Sequence, residues 1–146
     1  MPRFVLLYHE CPPDYQRPSH WDFMLEDGDV LRTWALAQLP RDWQPLVEQS
    51  VSRADSHEFV AATNTVPAEQ LPDHRPMYLD YEGPVSGERG NVTRVESGTY
   101  NTGKNSADCL ELAIAGRSLQ GRITLTRHSS ESTDWRLLYR PDSAES

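Results

Sequence analysis

Three side chains near the amino terminus are of the types that bind divalent metal ions. His20 and Asp22 stand two residues apart, and His9 ends the apolar segment before them. On a β-strand, residues two apart face the same side, so the imidazole and the carboxylate would project together. Neutral imidazole and carboxylate both bind divalent transition metals. The spacing therefore allows a metal site, although a His-x-Asp pair taken alone is more often a surface hydrogen bond.

A second group of polar side chains lies in the middle of the chain, where Asp73, His74, Arg75 and Tyr78 follow closely on one another. A histidine beside an arginine, with a tyrosine hydroxyl nearby, could bind a phosphoryl oxygen. The histidine could also act as an acid or as a hydrogen-bond donor to a transition state. The competing interpretation is a loop histidine capped by Asp73, and the pattern alone favours that loop.

Two further features carry weaker signals. Residues 83–90 are rich in glycine but lack the lysine and serine or threonine of a phosphate-binding loop, so we expect a mobile or bulged hairpin loop. Cys11 has no basic neighbour before Arg17, and nothing in the sequence indicates a reactive thiol there. Cys109 opens an alternating apolar segment and is predicted to lie in the core.

The elements that must position these residues are predicted to be mainly β-strands. Short apolar or alternating segments between turn signals are typical of a sandwich or a barrel. Asp27-Gly28 is a hairpin signal between two of them. The predicted strands cover residues 4–9, 21–26, 30–36, 77–82, 91–96, 109–114, 122–127 and 135–139, with a turn at residues 97–98.

Helix signals are few and lie in the middle of the chain. Residues 45–52 and 66–71 are the two candidate short helices, the second because Thr65 and Pro67 resemble a helix start. Residues 37–76 otherwise read as a long connection that is rich in proline. The predicted fold is therefore mostly β, a small closed or partly closed β-barrel with one or two short helices.

Length and charge narrow the class of protein. A chain of 146 residues is expected to form one domain, here with an ordered core over about residues 4–140. A net charge of −8 argues against non-specific binding to nucleic acid, so any phosphate chemistry must come from a local site. The sequence shows no apolar run long enough for a membrane helix, no signal-peptide pattern and too few cysteines for a disulfide framework. We therefore expect a reduced, cytoplasmic protein that does not bind membranes.

Taken together and in order, several segments resemble the 3′-phosphoesterase domain of bacterial and archaeal DNA ligase D. HWDFMLE at residues 20–26 and DHRPMYLDYEG at residues 73–83 are weak signals singly and fairly specific as an ordered pair. Further counterparts are LLYHE, LRTWAL, LQGRITLTR and WRLLYR, at residues 6–10, 31–36, 119–127 and 135–140. The resemblance extends from residue 4 to residue 140, and it reverses the preference for a surface hydrogen bond and a plain loop.

The resemblance implies a fold, a site and a reaction. The family fold is a small β-barrel with its site in a crevice, and the family binds manganese through two histidines and an aspartate. These residues correspond to His9, His20 and Asp22, and other divalent transition metals remain candidates. The family's phosphate-binding histidine and tyrosine correspond to His74 and Tyr78.

The implied activity is the removal of a 3′-phosphate or of a terminal 3′-ribonucleoside, which leaves a 3′-OH. The implied partners are nucleic-acid 3′ ends or small phosphate esters, together with separate polymerase or ligase proteins. We expect the chain to be a monomer.

One departure from the family pattern bears on activity. The family has an arginine two residues after the metal-binding aspartate, where this chain has Met24. That arginine would contact phosphate, so we expect a weakened enzyme in which Arg75 or Arg89 is a candidate substitute. The alternative function is a barrel of the same fold that acts as a binding or interaction module without catalysis.

Overall fold

The computed structural model describes residues 1–85 and 89–142, and most of them lie in β-strands. The strands are β1 (Arg3–Glu10), β2 (His20–Asp27), β3 (Val30–Leu36), β4 (Thr65–His74), β5 (Gly83–Pro84), β6 (Asn91–Asn105), β7 (Cys109–Gly116), β8 (Gln120–Arg127) and β9 (Asp134–Pro141). One α-helix, α1, covers Gln44–Ser50, and 3-10 helices cover Arg41–Trp43, Ser56–Glu58 and Pro76–Leu79. None of the helices in the described ranges has the length and apolar character needed to cross a membrane.

Eight of these strands close into an antiparallel barrel. The strand order is β1-β2-β3-β4-β9-β8-β7-β6, and β6 pairs with β1 to complete the circle. The two-residue strand β5 adds to β6 from outside this circle. The prediction of a mostly β barrel with one or two short helices is confirmed, and α1 matches the helix expected at residues 45–52.

The longest strand, β6, closes the barrel because its two ends have different partners. Its first half pairs with β1, from Glu10 opposite Asn91 to Arg3 opposite Thr99, and its second half pairs with β7. The turn predicted at residues 97–98 is therefore wrong. Gly98 instead allows close strand contact, since a Cβ there would lie 2.0 Å from the carbonyl oxygen of Ala115.

The helix predicted at residues 66–71 is also wrong, because this segment is part of β4. Its first residues pair with β9 and its last residues pair with β3, so it joins the two halves of the barrel. Pro67 lies in the stretch that pairs with β9 only, where a missing N–H is tolerated. Pairing on both edges of the segment outweighs the local helix-start signal. The long connection expected at residues 37–76 therefore ends at the start of β4.

The strand predicted at residues 77–82 is wrong as well. Pro76 begins a 3-10 helix that ends at Leu79, the buried residue of this segment. The following residues reach β5, and Val85 then packs against the barrel. The predicted hairpin loop at residues 83–90 falls partly on residues 86–88, which lie outside the described residues.

The barrel is packed on two faces. Its interior cluster takes side chains from all eight barrel strands and contains the tryptophans at positions 21, 34, 43 and 135. A second cluster lies on the outer face of β1, β2, β3 and β6, where residues 79–85 cover it. Its members are Val5, Leu7, Met24, Leu31, Leu79, Val85 and Val92, with Tyr78 and Tyr81 packed against them. We call this second group the outer cluster. Strands β1 and β2 are consequently buried on both faces, and they form the wall of the candidate site.

Candidate metal centre

The pairing of β1 with β2 brings the three predicted metal ligands together. His9 lies directly opposite His20, and Leu7 lies opposite Asp22. Because alternate residues share a face, all of these side chains project outward with the outer cluster rather than into the barrel interior. His20 and Asp22 are buried, and His9 is half-buried. The site therefore lies under partial cover at one end of the β1–β2 hairpin.

The distances within this group suit a single ion. Nδ1 of His9 lies 3.7 Å from Oδ2 of Asp22, and Nε2 of His20 lies 3.1 Å from Oδ1 of the same carboxylate. Ligand bonds of about 2.0–2.2 Å place neighbouring ligand atoms roughly 3.0–3.5 Å apart. The contact between His20 and Asp22 has this spacing, and the contact between His9 and Asp22 is slightly longer.

Backbone carbonyl groups fix the orientation of both imidazoles. Nε2 of His9 lies 2.7 Å from the carbonyl oxygen of Arg89, and Nδ1 of His20 lies 2.9 Å from that of Pro18. Since a carbonyl oxygen can only accept, each of these nitrogens carries the proton and donates it. In the neutral rings the remaining nitrogens, which face Asp22, then have free electron pairs. This is the usual outer support of metal-binding histidines.

Asp22 occupies an environment that is unfavourable without a cation. The residue is 2% exposed, and while the His20 ring is neutral the Oδ1 of Asp22 has no hydrogen-bond donor. Burial alone would raise the pKa of Asp22, but the adjacent His20 and His9 rings lower it to about 2. Burial would likewise lower the pKa of His20, yet the Asp22 carboxylate raises it above 6.5. A buried carboxylate with an unpaired oxygen between two nitrogen electron pairs fits a divalent cation.

Cys11 is a potential ligand beside these residues that the sequence reasoning missed. The ligand atoms of His9, Cys11 and His20 all lie within 4.8 Å of one another. Burial, and then the nearby Asp22 carboxylate, raises the pKa of the Cys11 thiol. The available signal was its spacing, because Cys11 follows His9 by two residues just as Asp22 follows His20.

His74 and Tyr78 form a pair through their rings. Their rings meet edge to face with centroids 5.8 Å apart, and Nδ1 of His74 donates to the carbonyl of Pro72 at 2.9 Å. Tyr78 packs on the outer cluster. That cluster includes Met24, which lies on the same strand as Asp22. Within the described ranges no hydrogen bond, ion pair or ring contact joins this pair to His9, His20 or Asp22.

Met24 is the residue of β2 that follows Asp22 by two positions, and it belongs to the cluster on which Tyr78 packs. It shares the outward face of β2 with Asp22, is 1% exposed and belongs to the outer cluster with Leu79 and Val85. The position that holds an arginine in the family pattern is therefore apolar and covered in this chain. Of the two candidate substitutes, Arg75 is exposed at the start of the 3-10 helix, and the carbonyl group of Arg89 accepts from His9.

The segment that covers the outer cluster is attached to the barrel at several points. Arg3 forms an ion pair with Asp80 at 2.7 Å, and the backbone N–H of Arg94 donates to Oε2 of Glu82 at 2.7 Å. At Gly90, with a φ of 98°, a Cβ would lie 1.9 Å from the carbonyl oxygen of Glu10. Only glycine allows this approach, which holds the neighbouring Arg89 carbonyl beside His9.

A cavity of about 790 Å³ borders the site at His20. That volume is in the range of pockets that hold small molecules. Its lining includes Arg17, which pairs with Glu69 at 2.7 Å, and Arg127, which stacks over Trp135 at 4.6 Å from the ring centroid. The pocket beside His20 is therefore lined by charged groups of both signs, since Glu69 and Asp134 also contribute to it.

Comparison with known proteins identifies the family to which the chain belongs. No curated protein matches the chain. The family model of the DNA ligase D 3′-phosphoesterase domain matches residues 14–127, a range that includes His20, Asp22, His74 and Tyr78 but begins after His9. Since this match covers most of the chain, the protein belongs to the DNA ligase D 3′-phosphoesterase domain family.

Proposed function

We propose that this protein is a divalent-metal-dependent phosphoesterase that acts on nucleic-acid 3′ ends. It would remove a 3′-phosphate or a terminal 3′-ribonucleoside and leave a 3′-OH. The observation that carries the proposal is the buried Asp22 carboxylate, whose Oδ1 lacks a hydrogen-bond donor while two oriented imidazoles face it. Small phosphate esters are the second substrate class that this site would accept.

His9, His20 and Asp22 would hold the ion, and manganese is the ion that the family resemblance implies. When bound, a divalent ion supplies Lewis acidity toward the phosphoryl group. The protein's own part is to fix the ligands before substrate arrives. The carbonyls of Arg89 and Pro18 perform this role by keeping the ring nitrogens of His9 and His20 turned toward Asp22.

His74 and Tyr78 are proposed to hold the phosphate oxygens that face away from the metal ligands. Nδ1 of His74 is engaged by Pro72, which leaves Nε2 to donate or transfer a proton. The half-buried Tyr78 has a hydroxyl that can donate to a phosphoryl oxygen. The edge-to-face contact between the two rings keeps their polar atoms in a fixed relation. These groups would stabilise developing charge without moving during the reaction.

The cavity beside His20 is proposed to receive the terminal nucleotide. Arg127, which covers the buried ring of Trp135, and Arg17, which pairs with Glu69, line this cavity and would contact the nucleotide with their guanidinium groups. Because the chain is acidic overall, binding would rest on the strand end rather than on a long duplex. Separate polymerase or ligase proteins would then use the 3′-OH product.

With Met24 in place of an arginine, the rate of phosphate ester hydrolysis should be lower than in a site that has the arginine. An arginine two residues after Asp22 would share the face of the metal ligands, whereas Met24 contributes only apolar contacts. Loss of one preorganised donor to phosphate typically costs about 10²–10³-fold in rate. Arg75 and Arg89 are the proposed substitutes for this contact.

The experiment that tests the proposal measures phosphate release from a 3′-phosphorylated oligonucleotide, with a 3′-ribonucleotide-ended primer and a small phosphodiester in parallel. We expect manganese-dependent activity in the wild type and its loss in Asp22→Ala and His20→Ala. His57→Ala, in an exposed histidine of the 3-10 helix Ser56–Glu58, is the matched control and should retain activity. A wild type that is inactive on all three substrates with manganese, magnesium, cobalt and zinc contradicts the assignment.

Met24 also favours one alternative, a barrel that binds nucleic-acid ends without hydrolysing them. This alternative predicts saturable binding of a 3′-phosphorylated oligonucleotide with no turnover under any metal. It also predicts that His20→Ala leaves that binding unchanged, since a binding module needs no metal. Metal-dependent turnover in the wild type that is lost in Asp22→Ala and His20→Ala excludes this alternative.

A further inference from the structure

Cys11 follows β1 directly and lies close to two of the proposed metal ligands, His9 and His20. β1 ends at Glu10, and the chain then turns so that Sγ of Cys11 joins the nitrogens of His9 and His20 in one group within 4.8 Å. The backbone N–H of Cys11 donates to Oγ of Ser19 at 2.8 Å, which ties the loop back to the residue before His20. The backbone of Cys11 is thus held next to the start of β2.

A second observation at the same place points to a cation. Asp22 is almost fully buried, its Oδ1 has no donor, and its carboxylate faces the same two imidazoles that Sγ approaches. Among the described residues, the hydrogen-bond contact of the Cys11 sulfur is a long one of 3.8 Å to the carbonyl oxygen of His9. The sulfur is therefore not engaged in a strong interaction that would compete with a ligand bond.

Resting on the metal centre of the proposed function, we propose that Cys11 is its fourth protein ligand. The site would then consist of two imidazole nitrogens, one carboxylate oxygen and one thiolate sulfur. On binding, the S–H bond of Cys11 breaks, its proton passes to solvent and a bond between sulfur and the metal forms. No electron is transferred in this step.

A thiolate ligand changes which ions the centre favours. Soft sulfur ligands favour zinc, while oxygen-rich sites suit manganese and magnesium. Relative to a site of His9, His20 and Asp22 alone, the site with Cys11 shifts toward zinc and cobalt. The substitution Cys11→Ser should accordingly weaken zinc binding more than manganese binding.

Cys109 provides the matched control within the same chain. It is half-buried at the start of β7, opposite Thr126 of β8, and it belongs to none of the potential metal-binding groups in the described residues. Cys109→Ser removes a thiol of similar exposure from a different part of the barrel. Any effect that is specific to Cys11 should therefore be absent from this variant.

The decisive experiment titrates Co²⁺ into the full-length wild type, Cys11→Ser and Cys109→Ser under reducing conditions and records absorption spectra. We expect a sulfur-to-cobalt charge-transfer band in the near ultraviolet for the wild type and Cys109→Ser. We expect Cys11→Ser to lose that band, to keep the visible cobalt bands and to bind Co²⁺ at least about tenfold more weakly.

The outcomes separate the two proposals. Visible cobalt bands without a charge-transfer band in the wild type, or a band that persists in Cys11→Ser, overturns the role of Cys11 and leaves the metal centre intact. No Co²⁺ binding by the wild type overturns both. Should Cys11→Ser fail to fold, the alkylation rate of Cys11 in Cys109→Ser replaces it. Zinc should slow that reaction strongly, and an unchanged rate overturns the proposal.

Discussion

Two carboxylates are buried among the residues that the structure describes, and their surroundings are opposite. Glu96 is 1% exposed and accepts hydrogen bonds from the backbone N–H groups of Ser97, Arg117, Ser118 and Leu119 and from the Ser118 hydroxyl, at 2.6–3.0 Å. Asp22 is 2% exposed and faces two imidazoles, while its Oδ1 has no donor. Burial alone therefore does not mark a functional carboxylate. The distinction is whether donors or other ligand groups surround it.

The local chain explains why Glu96 is satisfied. The turn between β7 and β8 wraps its backbone N–H groups around the carboxylate, and Gly116 leaves the space, since a Cβ there would lie 2.8 Å from Oε2. This carboxylate joins β6 to the turn and needs no ion. Asp22 lies on a strand whose backbone groups are used in the sheet, so only side chains can approach it.

The strongest test of this comparison is Asp22→Asn. The amide has nearly the shape of the carboxylate but is a poor ligand, so metal-dependent activity should fall by more than about 10²-fold. Stability in a chelator should change little, because the variant removes a buried charge and its amide can donate to Nε2 of His20. Thermal unfolding in EDTA and phosphate release measure the two effects. A large loss of stability in EDTA would mean that Asp22 is a structural group like Glu96.

The reciprocal substitution, Glu96→Gln, should have the reverse effect. The amide nitrogen of the glutamine cannot accept hydrogen bonds from the N–H groups that it would face. This loss should lower the free energy of unfolding by about 2–3 kcal/mol. Metal affinity and activity, measured well below the unfolding temperature, should stay near wild type, because Glu96 touches none of the proposed ligands. Urea unfolding and metal titration check both parts. Activity that falls at unchanged stability would break the comparison.

The sequence could predict the proposed metal ligands far better than it could predict the structural carboxylate. His20 and Asp22 are close in sequence, and the hairpin at Asp27-Gly28 is a local signal, so spacing and resemblance were enough to predict that their side chains lie together. The donors to Glu96 are mostly more than twenty residues away and have no side-chain signature. Cys11 was missed for a related reason, since its approach to His20 depends on the path of the loop after β1.

The errors in the fold have the same physical origin. The segment at 66–71 carries a local helix-start signal, and only its pairing with β3 and β9 makes it a strand. The alternation at 77–82 is that of a strand, but Pro76 and the need to cover the outer cluster produce a 3-10 helix. The barrel itself was predictable because most strands carry their own apolar pattern and turn signals.

A third prediction concerns the hydrogen bond from His9 to the carbonyl of Arg89, which orients the His9 ring toward Asp22. Gly90→Ala should displace the Arg89 carbonyl from His9, because the new Cβ would meet the carbonyl oxygen of Glu10. We expect metal affinity to fall by about 10–100-fold, the usual cost of losing an outer support. Isothermal titration with the metal measures this change.

Gly28→Ala is the control for Gly90→Ala. Gly28, in the turn between β2 and β3, also has a positive φ, 61°, but no atom lies within 4 Å of the place that a Cβ would take. This variant should cost about 1–2 kcal/mol of backbone strain and leave metal affinity unchanged. Equal losses of affinity in the two variants would mean that general destabilisation, rather than the His9 contact, controls the site.

The smallest expected effect is a pH dependence that belongs to Asp22 alone. The N–H donors around Glu96 do not titrate, whereas the His20 ring beside Asp22 does, with a pKa raised above 6.5. Its pairing with Asp22 in the metal-free protein is therefore fully present below pH 6.5 and is lost as the pH rises through the raised value. Asp22 itself, with a pKa of about 2, loses its contribution only as the pH falls from 3.8 toward that value.

In EDTA, the unfolding temperature should thus decline modestly as the pH rises from about 6 to 8, and His20→Gln should remove this part of the decline. Metal requires the neutral ring, so the gain in unfolding temperature on adding metal should grow over the same interval. His57→Gln, with its exposed ring, should follow the wild type in both series. A metal-induced gain that shrinks with rising pH would mean that His20 does not bind the ion, and the contrast between Asp22 and Glu96 would then need a different explanation.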